Sequence, residues 1–216
     1  RDWSSDVCSS DLRFSDSRPA FNFYGNPDLK PEESRGWDVG FEQPLLNGQL
    51  NVGATWFHND IENLIVTNAA RTSYANVGKA TTQGLESFVA LEISPQFKVR
   101  ADYTFTLARD DIARQELLRR PRHKASVTAS WNPIEKLTLS ATLIYVGARM
   151  EGNRDFSIPR MRAPGAAIVN LAADYKVDDK LTVFGRVDNL FDKRYENPVG
   201  CLVPLLSAYG GISVSL

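Results

Sequence analysis

Arginine is the reactive residue type most concentrated in one place. Arg109, Arg114, Arg119, Arg120 and Arg122 share one short stretch with Asp110 and Asp111. Guanidinium groups hold phosphate and carboxylate through paired hydrogen bonds, so this stretch has the chemistry to take an anionic ligand or the phosphates of lipopolysaccharide. For any single side chain, a solvated loop neutralised by its own carboxylates is the commoner arrangement. Asp110 and Asp111 are too few for a calcium cage, which takes about six oxygens or more. Tyr74, Asn76, Arg149, Asn153 and Arg160 stand in other irregular segments, and with Arg119 and Arg120 they form the expected ligand face.

Material for catalysis is thin. The histidines are His58 and His123 and the cysteines are Cys8 and Cys201. Neither cysteine stands in a Cys-x-x-Cys pair or beside a histidine, and neither histidine has a matching serine motif. Zinc, redox and Ser-His-Asp chemistry therefore fall away. Both imidazoles are read as solvated or strand-end groups. No phosphate-cradling glycine loop or catalytic carboxylate pair is found, so no metal and no cofactor is expected and the available chemistry is binding.

Composition narrows the partners. Across 216 residues, 25 basic and 26 acidic side chains leave a formal charge of −1, which gives nucleic acid no basic excess to meet. Forty-three per cent hydrophobic residues argue against disorder. No apolar run approaches the length of a membrane helix, but a transmembrane β-barrel stays open because its strands are apolar only at alternate positions. A mean hydropathy of −0.29 is compatible with that.

Alternation is what the chain shows. Phe97, Val99, Ala101, Tyr103, Phe105 and Leu107 fall on one face, and Lys98, Arg100, Asp102, Thr104 and Thr106 on the other. The same period-two pattern recurs through Trp37–Phe41, Leu50–Trp56, Leu85–Ile93, Ala125–Trp131, Leu137–Tyr145, Ala167–Tyr175, Leu181–Val187 and Ile212–Leu216, which predicts nine antiparallel strands and no helix. Short turns at Pro44–Gly48, Ser94–Gln96, Pro133–Glu135 and Val177–Asp179 alternate with long polar loops at about 67–80, 108–122, 147–163 and 191–207. Short turns on one side and long loops on the other is the plan of an outer-membrane barrel. Phe41, Phe97, Trp131 and Tyr175 near the short turns, with Trp56, Phe105 and Tyr145 toward the loops, fit two interfacial girdles. A soluble β-sandwich, with one face packed on a second sheet, is the competing fold. An odd strand number cannot close a bacterial barrel, so a fragment of a larger all-β transmembrane barrel is expected. Residues 1–12 are rich in Ser and Asp and resemble translated adapter sequence, which leaves 13–216 as the barrel portion.

Three blocks carry a family resemblance. Asn26-Pro-Asp-Leu-Lys-Pro-Glu-Glu-Ser34 with Gly40-Phe-Glu42, Asn76-Val-Gly-Lys-Ala80 with Gly84-Leu-Glu86, and Asp188-Asn-Leu-Phe-Asp-Lys-Arg-Tyr-Glu196 resemble the barrel of TonB-dependent outer-membrane receptors. Leu117-Leu-Arg-Arg-Pro-Arg-His-Lys124 and the spacing of Tyr103 before it look most like the vitamin B12 (cobalamin) transporter subgroup, although siderophore receptors use similar segments. The resemblance implies a barrel of roughly 22 strands around a plug, this chain supplying the last strands. It further implies uptake of a scarce nutrient complex, cobalamin or a ferric siderophore, across the outer membrane of a Gram-negative bacterium. The implied partners are that ligand, the TonB complex through the N-terminal part missing here, the barrel-assembly machinery, and outer-membrane lipid and lipopolysaccharide. Two departures stand out. Leu216 replaces the aromatic residue on which the last strand of the family normally ends, and Cys201–Ser207 replaces an aromatic Pro-Gly-Arg-type run. A barrel enzyme of lipase or protease type and a passive porin or adhesin are the alternative functions.

Overall fold

The computed structural model describes residues 22–67, 72–152 and 159–215. Among them the chain forms strands β1 (Glu33–Leu45), β2 (Leu50–Thr67), β3 (Tyr74–Ser94), β4 (Phe97–Asp110), β5 (Gln115–Glu116), β6 (His123–Ile134), β7 (Leu137–Val146), β8 (Arg149–Glu151), β9 (Met161–Ala163), β10 (Ala166–Lys176), β11 (Leu181–Asp188) and β12 (Ser207–Val214). The long strands make one antiparallel sheet in the order β1-β2-β3-β4-β6-β7-β10-β11-β12, the nine expected from alternation. The short strand β5 extends the edge of β4, and β8 pairs with β9 as a separate hairpin.

Register carries the alternation across the whole sheet. Val52, Val89, Ala101, Val127, Leu143 and Val169 are successive cross-strand partners, and the neighbouring row on the same face runs Leu50, Leu91, Val99, Ala129, Ala141, Leu171, Val187 and Ala208. The opposite face reads Asn51, Ala90, Arg100, Thr128, Thr142 and Asn170. A soluble sandwich would cover the apolar face. Instead Val39 is 63%, Phe41 62% and Ile212 68% exposed, and among the described residues the buried hydrophobic side chains are Leu29, Ala80, Ala108 and Ala163. An exposed apolar sheet face of this kind is a surface for lipid or for further protein, and its polar opposite face fits the wall of a membrane barrel. The rows also climb: the one that starts beside the β1–β2 turn at Leu45 reaches Val187 and Ala208 beside the long β11–β12 connection. That stagger is the strand tilt a barrel wall needs.

Aromatic residues on the wet face break the simple pattern, and the backbone opposite explains them. Phe88 lies directly across from Gly53 and Phe184 across from Gly211. A Cβ on Gly53 would come within 2.4 Å of the Phe88 ring, and one on Gly211 within 2.6 Å of Phe184. Each ring covers a bare stretch of sheet, so these glycines pin register rather than bend the chain.

Among the described residues, three ion pairs stand on the lumenal face, one between strands and two within a strand. Lys98 reaches Glu92 on the neighbouring strand at 3.0 Å, whereas Arg100 turns to Asp102 (2.7 Å) and Arg186 to Asp188 (3.3 Å) on their own strands. Residues two apart on a strand share a face, so both kinds of contact are open to them. Arg100 and Arg186 also lie 4.7 Å above the rings of Phe88 and Tyr209.

One long connection is shorter than the sequence suggests. β2 runs to Thr67 and β3 starts at Tyr74, so the stretch read as a loop over 67–80 is largely a hairpin, and Tyr74 and Asn76 are strand residues. A strand crosses the hydrocarbon in about 9–11 residues. β2 and β3, of 18 and 21 residues, therefore project beyond it, where both faces are wet and no apolar stripe marks a strand.

Candidate functional site

The projecting end gathers the predicted site residues, and most of them hold the chain's own loops. Asn76 clamps the segment that enters β1. Its Nδ2 donates to the carbonyls of Lys30 (2.9 Å) and Asn63 (2.7 Å), and its Oδ1 accepts from the Lys30 N–H (2.7 Å). Asn26 Nδ2 donates to the Tyr74 carbonyl at 2.8 Å, the Tyr74 ring meets Phe23 edge-on at 4.9 Å, and Glu32 accepts from the Ile65 N–H at 2.7 Å. Leu29, 1% exposed, is shut in by these contacts. The first two resemblance blocks are thus two halves of one clasp.

A second knot joins three loops. Glu151 is 1% exposed and accepts from Arg149 Nε at 2.6 Å, while Arg119 Nε approaches its other oxygen at 3.3 Å. Arg119 further donates its backbone N–H to the Met150 carbonyl at 2.7 Å. Arg149 reaches on to the Glu196 carbonyl (3.0 Å) and Asn197 Oδ1 (3.2 Å). Arg149 is 7% exposed, so the structure moves it from the expected loop mouth into the interior of the loop layer. Glu151 is the residue that sequence reading passed over. Its spacing of two from Arg149 was its only sequence signal.

The third block is a self-tied turn. Asn189, 3% exposed, takes the left-handed conformation at φ 53° and donates Nδ2 to the carbonyls of Lys193 (3.0 Å) and Pro204 (3.3 Å). Its Oδ1 accepts from the Lys193 N–H at 2.8 Å, and Asp192 Oδ1 accepts from the Leu206 N–H at 3.0 Å. Asparagine tolerates that backbone and supplies both bond types, which is why the turn needs it. Cys201, exposed with a free thiol, lies in the same connection.

Arg120 lines a cleft of about 500 Å³ with Arg109, Arg114, Arg122 and Glu116, and Arg160 donates to the Glu116 carbonyl nearby. Asn153 lies outside the described residues, as do Cys8, residues 1–12 and Leu216. The histidines belong to the upper aromatic girdle: His58 stacks on Trp37 with ring centres 5.7 Å apart and contacts Asp60 at 3.2 Å, and His123 meets the Tyr103 hydroxyl at 2.8 Å. Among the described residues, no group of three or more His, Cys, Asp or Glu is placed to hold a metal ion. Above the girdle, Lys79 bonds Glu62 at 2.8 Å. That contact draws the Glu62 carboxyl below its ordinary range and lifts the Lys79 ammonium above its own.

An apolar outer face, a polar inner face, climbing register and short turns opposite tied loops define a segment of transmembrane β-barrel wall. A family model described as TonB dependent receptor-like, beta-barrel matches residues 4–190, and the chain belongs to that family. Its fold is similar to the ferric-catecholate import receptor Fiu of E. coli K12 (22% identity, TM-score 0.68, 87% of this chain and 28% of that one). It is similar also to the pyoverdine outer membrane receptor FpvA of Pseudomonas aeruginosa PAO1 (24%, 0.70, 90% and 31%). The siderophore receptor PirA of Acinetobacter baumannii gives 19%, 0.75, 90% and 33%. The chain spans about three-tenths of the length of these receptors.

Proposed function

We propose that this chain is the C-terminal wall, residues 13–216, of a TonB-dependent receptor that takes up a scarce nutrient complex across the outer membrane. Membership of the receptor-barrel family is the observation that carries the reading. The ferric siderophore takes precedence over cobalamin as the cargo, because the relatives of similar fold include receptors named for ferric catecholate and pyoverdine. The Leu117–Lys124 segment, which suggested the cobalamin subgroup, serves here as a strap: Pro121 is buried and the Arg122 carbonyl accepts from the Thr106 N–H at 2.8 Å. Ligand enters from the loop-bearing end and passes along the polar inner face, with no bond made or broken in it. The TonB complex acts through an N-terminal part, and the barrel-assembly machinery inserts the strands.

The test is uptake in an iron-starved strain stripped of its own receptors and supplied with the full-length gene. Radiolabelled ferric catecholate and ferric hydroxamate siderophores should accumulate only while the inner-membrane proton gradient is intact. Accumulation that continues after uncoupling would indicate a passive pore. Accumulation of labelled cobalamin with no siderophore uptake would restore the cobalamin reading.

A further inference from the structure

We propose that residues 118–120 form a releasable strap. The β4–β6 connection lets go of the β8–β9 hairpin at Arg119, while that hairpin stays joined to the β11–β12 connection through Arg149, so the loop layer parts along one side of Glu151. Contacts within the chain carry this, independently of the transport reading above. The two arginines hold Glu151 unequally. The Arg149 side chain is 6% exposed, donates Nε to Glu151 Oε1 at 2.6 Å, and donates Nη2 to the Glu196 carbonyl and Asn197 Oδ1. A charge so enclosed cannot leave its carboxylate without standing unpaired away from water. Arg119 is different. Its side chain is 51% exposed, with Nε 3.3 Å from Glu151 Oε2 and Nη2 3.4 Å from the Gly152 carbonyl. Among the described residues Glu151 Oε2 accepts no hydrogen bond, so Arg119 makes an ion contact there without the alignment of a bond. A half-exposed guanidinium turns to water at little loss, and its departure admits water to the unbonded oxygen.

The backbone supplies a second reason for release. Arg119 sits at φ 59°, a left-handed conformation that a long side chain adopts at a cost, and its N–H donates to the Met150 carbonyl at 2.7 Å. Giving up that bond lets the residue relax to ordinary backbone, so strain and contacts oppose each other at one position. On either side the chain is pinned to its own wall. The Leu117 N–H donates to the Ala108 carbonyl at 2.9 Å, the Arg122 carbonyl accepts from the Thr106 N–H at 2.8 Å, and Pro121 is buried. Release is therefore confined to 118–120 and does not spread into β4 or β6. A further hydrogen bond, from Arg160 to the Glu116 carbonyl, joins the two connections ahead of the strap and persists whether the strap is seated or free.

The experiment is amide hydrogen exchange on the full-length protein in detergent micelles, read residue by residue by fragmentation mass spectrometry, and it needs no ligand. In the wild type the Arg119 amide should exchange more than about tenfold faster than those of Leu117 and Asn197, which are bonded to the Ala108 and Cys201 carbonyls. R119N removes the guanidinium and keeps a residue that tolerates the left-handed backbone. It should raise exchange at position 119 by a further factor of about ten or more and leave Leu117, 149–151 and Asn197 as in wild type. R119K, which keeps the charge, should fall between the two. R149Q should raise exchange at 149–151, at 196–197 and in the strap together. An Arg119 amide as slow as that of Asn197 in the wild type overturns the releasable strap. So does R119N with exchange at 119 unchanged, and so does R119N that raises 119, 149–151 and 197 alike, since the loops would then be one body. Heat-modifiable gel mobility checks folding, and should R119N fail it, R119K read in the same way decides.

Discussion

At the scale of single residues, the polar side chains of the loop-bearing end divide into those already satisfied and those still open. Asn76 has its donors and its acceptor engaged within the chain, so its first role is structural. Asn76→Ala should cost about 1–3 kcal/mol and release the segment 26–32, seen as faster amide exchange there. Asn76→Asp, which keeps the acceptor for the Lys30 N–H, should exchange less. Glu151 is the sharper case because it is buried against a nearly buried arginine. Glu151→Gln leaves Arg149 without its carboxylate and should cost about 3 kcal/mol. Exchange should rise together at 117–120, 149–152 and 196–197, and a rise confined to 149–152 would show that the three loops are not coupled. The Glu62–Lys79 pair is exposed, so its contribution is small; it is held through the neutral range and lost at both pH extremes. The Glu62 carboxyl is lowered in the fold, so its contribution is present above the ordinary glutamate value of 4.5 and is lost as pH falls through the folded value. Lys79 is raised, so its contribution is full below the ordinary lysine value of 10.5 and is lost as pH rises through the folded one. Glu62→Gln should therefore lower stability slightly at neutral pH, converge with the wild type in acid and so flatten the acid limb of the curve.

At the scale of the strand, facing determines the outcome of a substitution. Val127 stands on the apolar face between Ala101 and Leu143, and Thr128 stands on the wet face with its hydroxyl 3.1 Å from that of Thr142. Val127→Arg should cost about 2–4 kcal/mol of folding free energy in bilayers, and Thr128→Arg much less because the lumen is hydrated. Equal costs would count against the lipid-facing assignment. Cysteines at 98, 100 and 102 should react with a membrane-impermeant reagent in the full-length protein while those at 99, 101 and 103 stay protected. A one-residue slip in register would reverse that pattern.

At the scale of the molecule, the sheet has two edges, β1 and β12. Unpaired backbone groups cost several kcal/mol each in hydrocarbon, so residues 13–216 expressed alone should aggregate or form a detergent-held sheet without ligand affinity. A monodisperse monomer that bound a siderophore tightly would contradict this. Nine of the strands were legible because each has one face in lipid and one in water, and that contrast writes a period of two into the residues. β5, β8 and β9 were not, and neither were the upper halves of β2 and β3, since both of their faces meet water or loops and the pattern has nothing to record.

The sequence by itself determined the strands, the side of each that faces lipid, the alternation of turns with loops, and the family, because these depend on residues close in the chain. Only the tertiary structure decided what the polar residues do. Arg119, Arg149 and Glu196 are far apart in sequence and meet because the loops fold over one end of the wall. Arg109, Arg114 and Arg120 are close in sequence to carboxylates that turn out to be engaged elsewhere. Charge pairing is settled by distance in space, and local order along the chain carries little information about that.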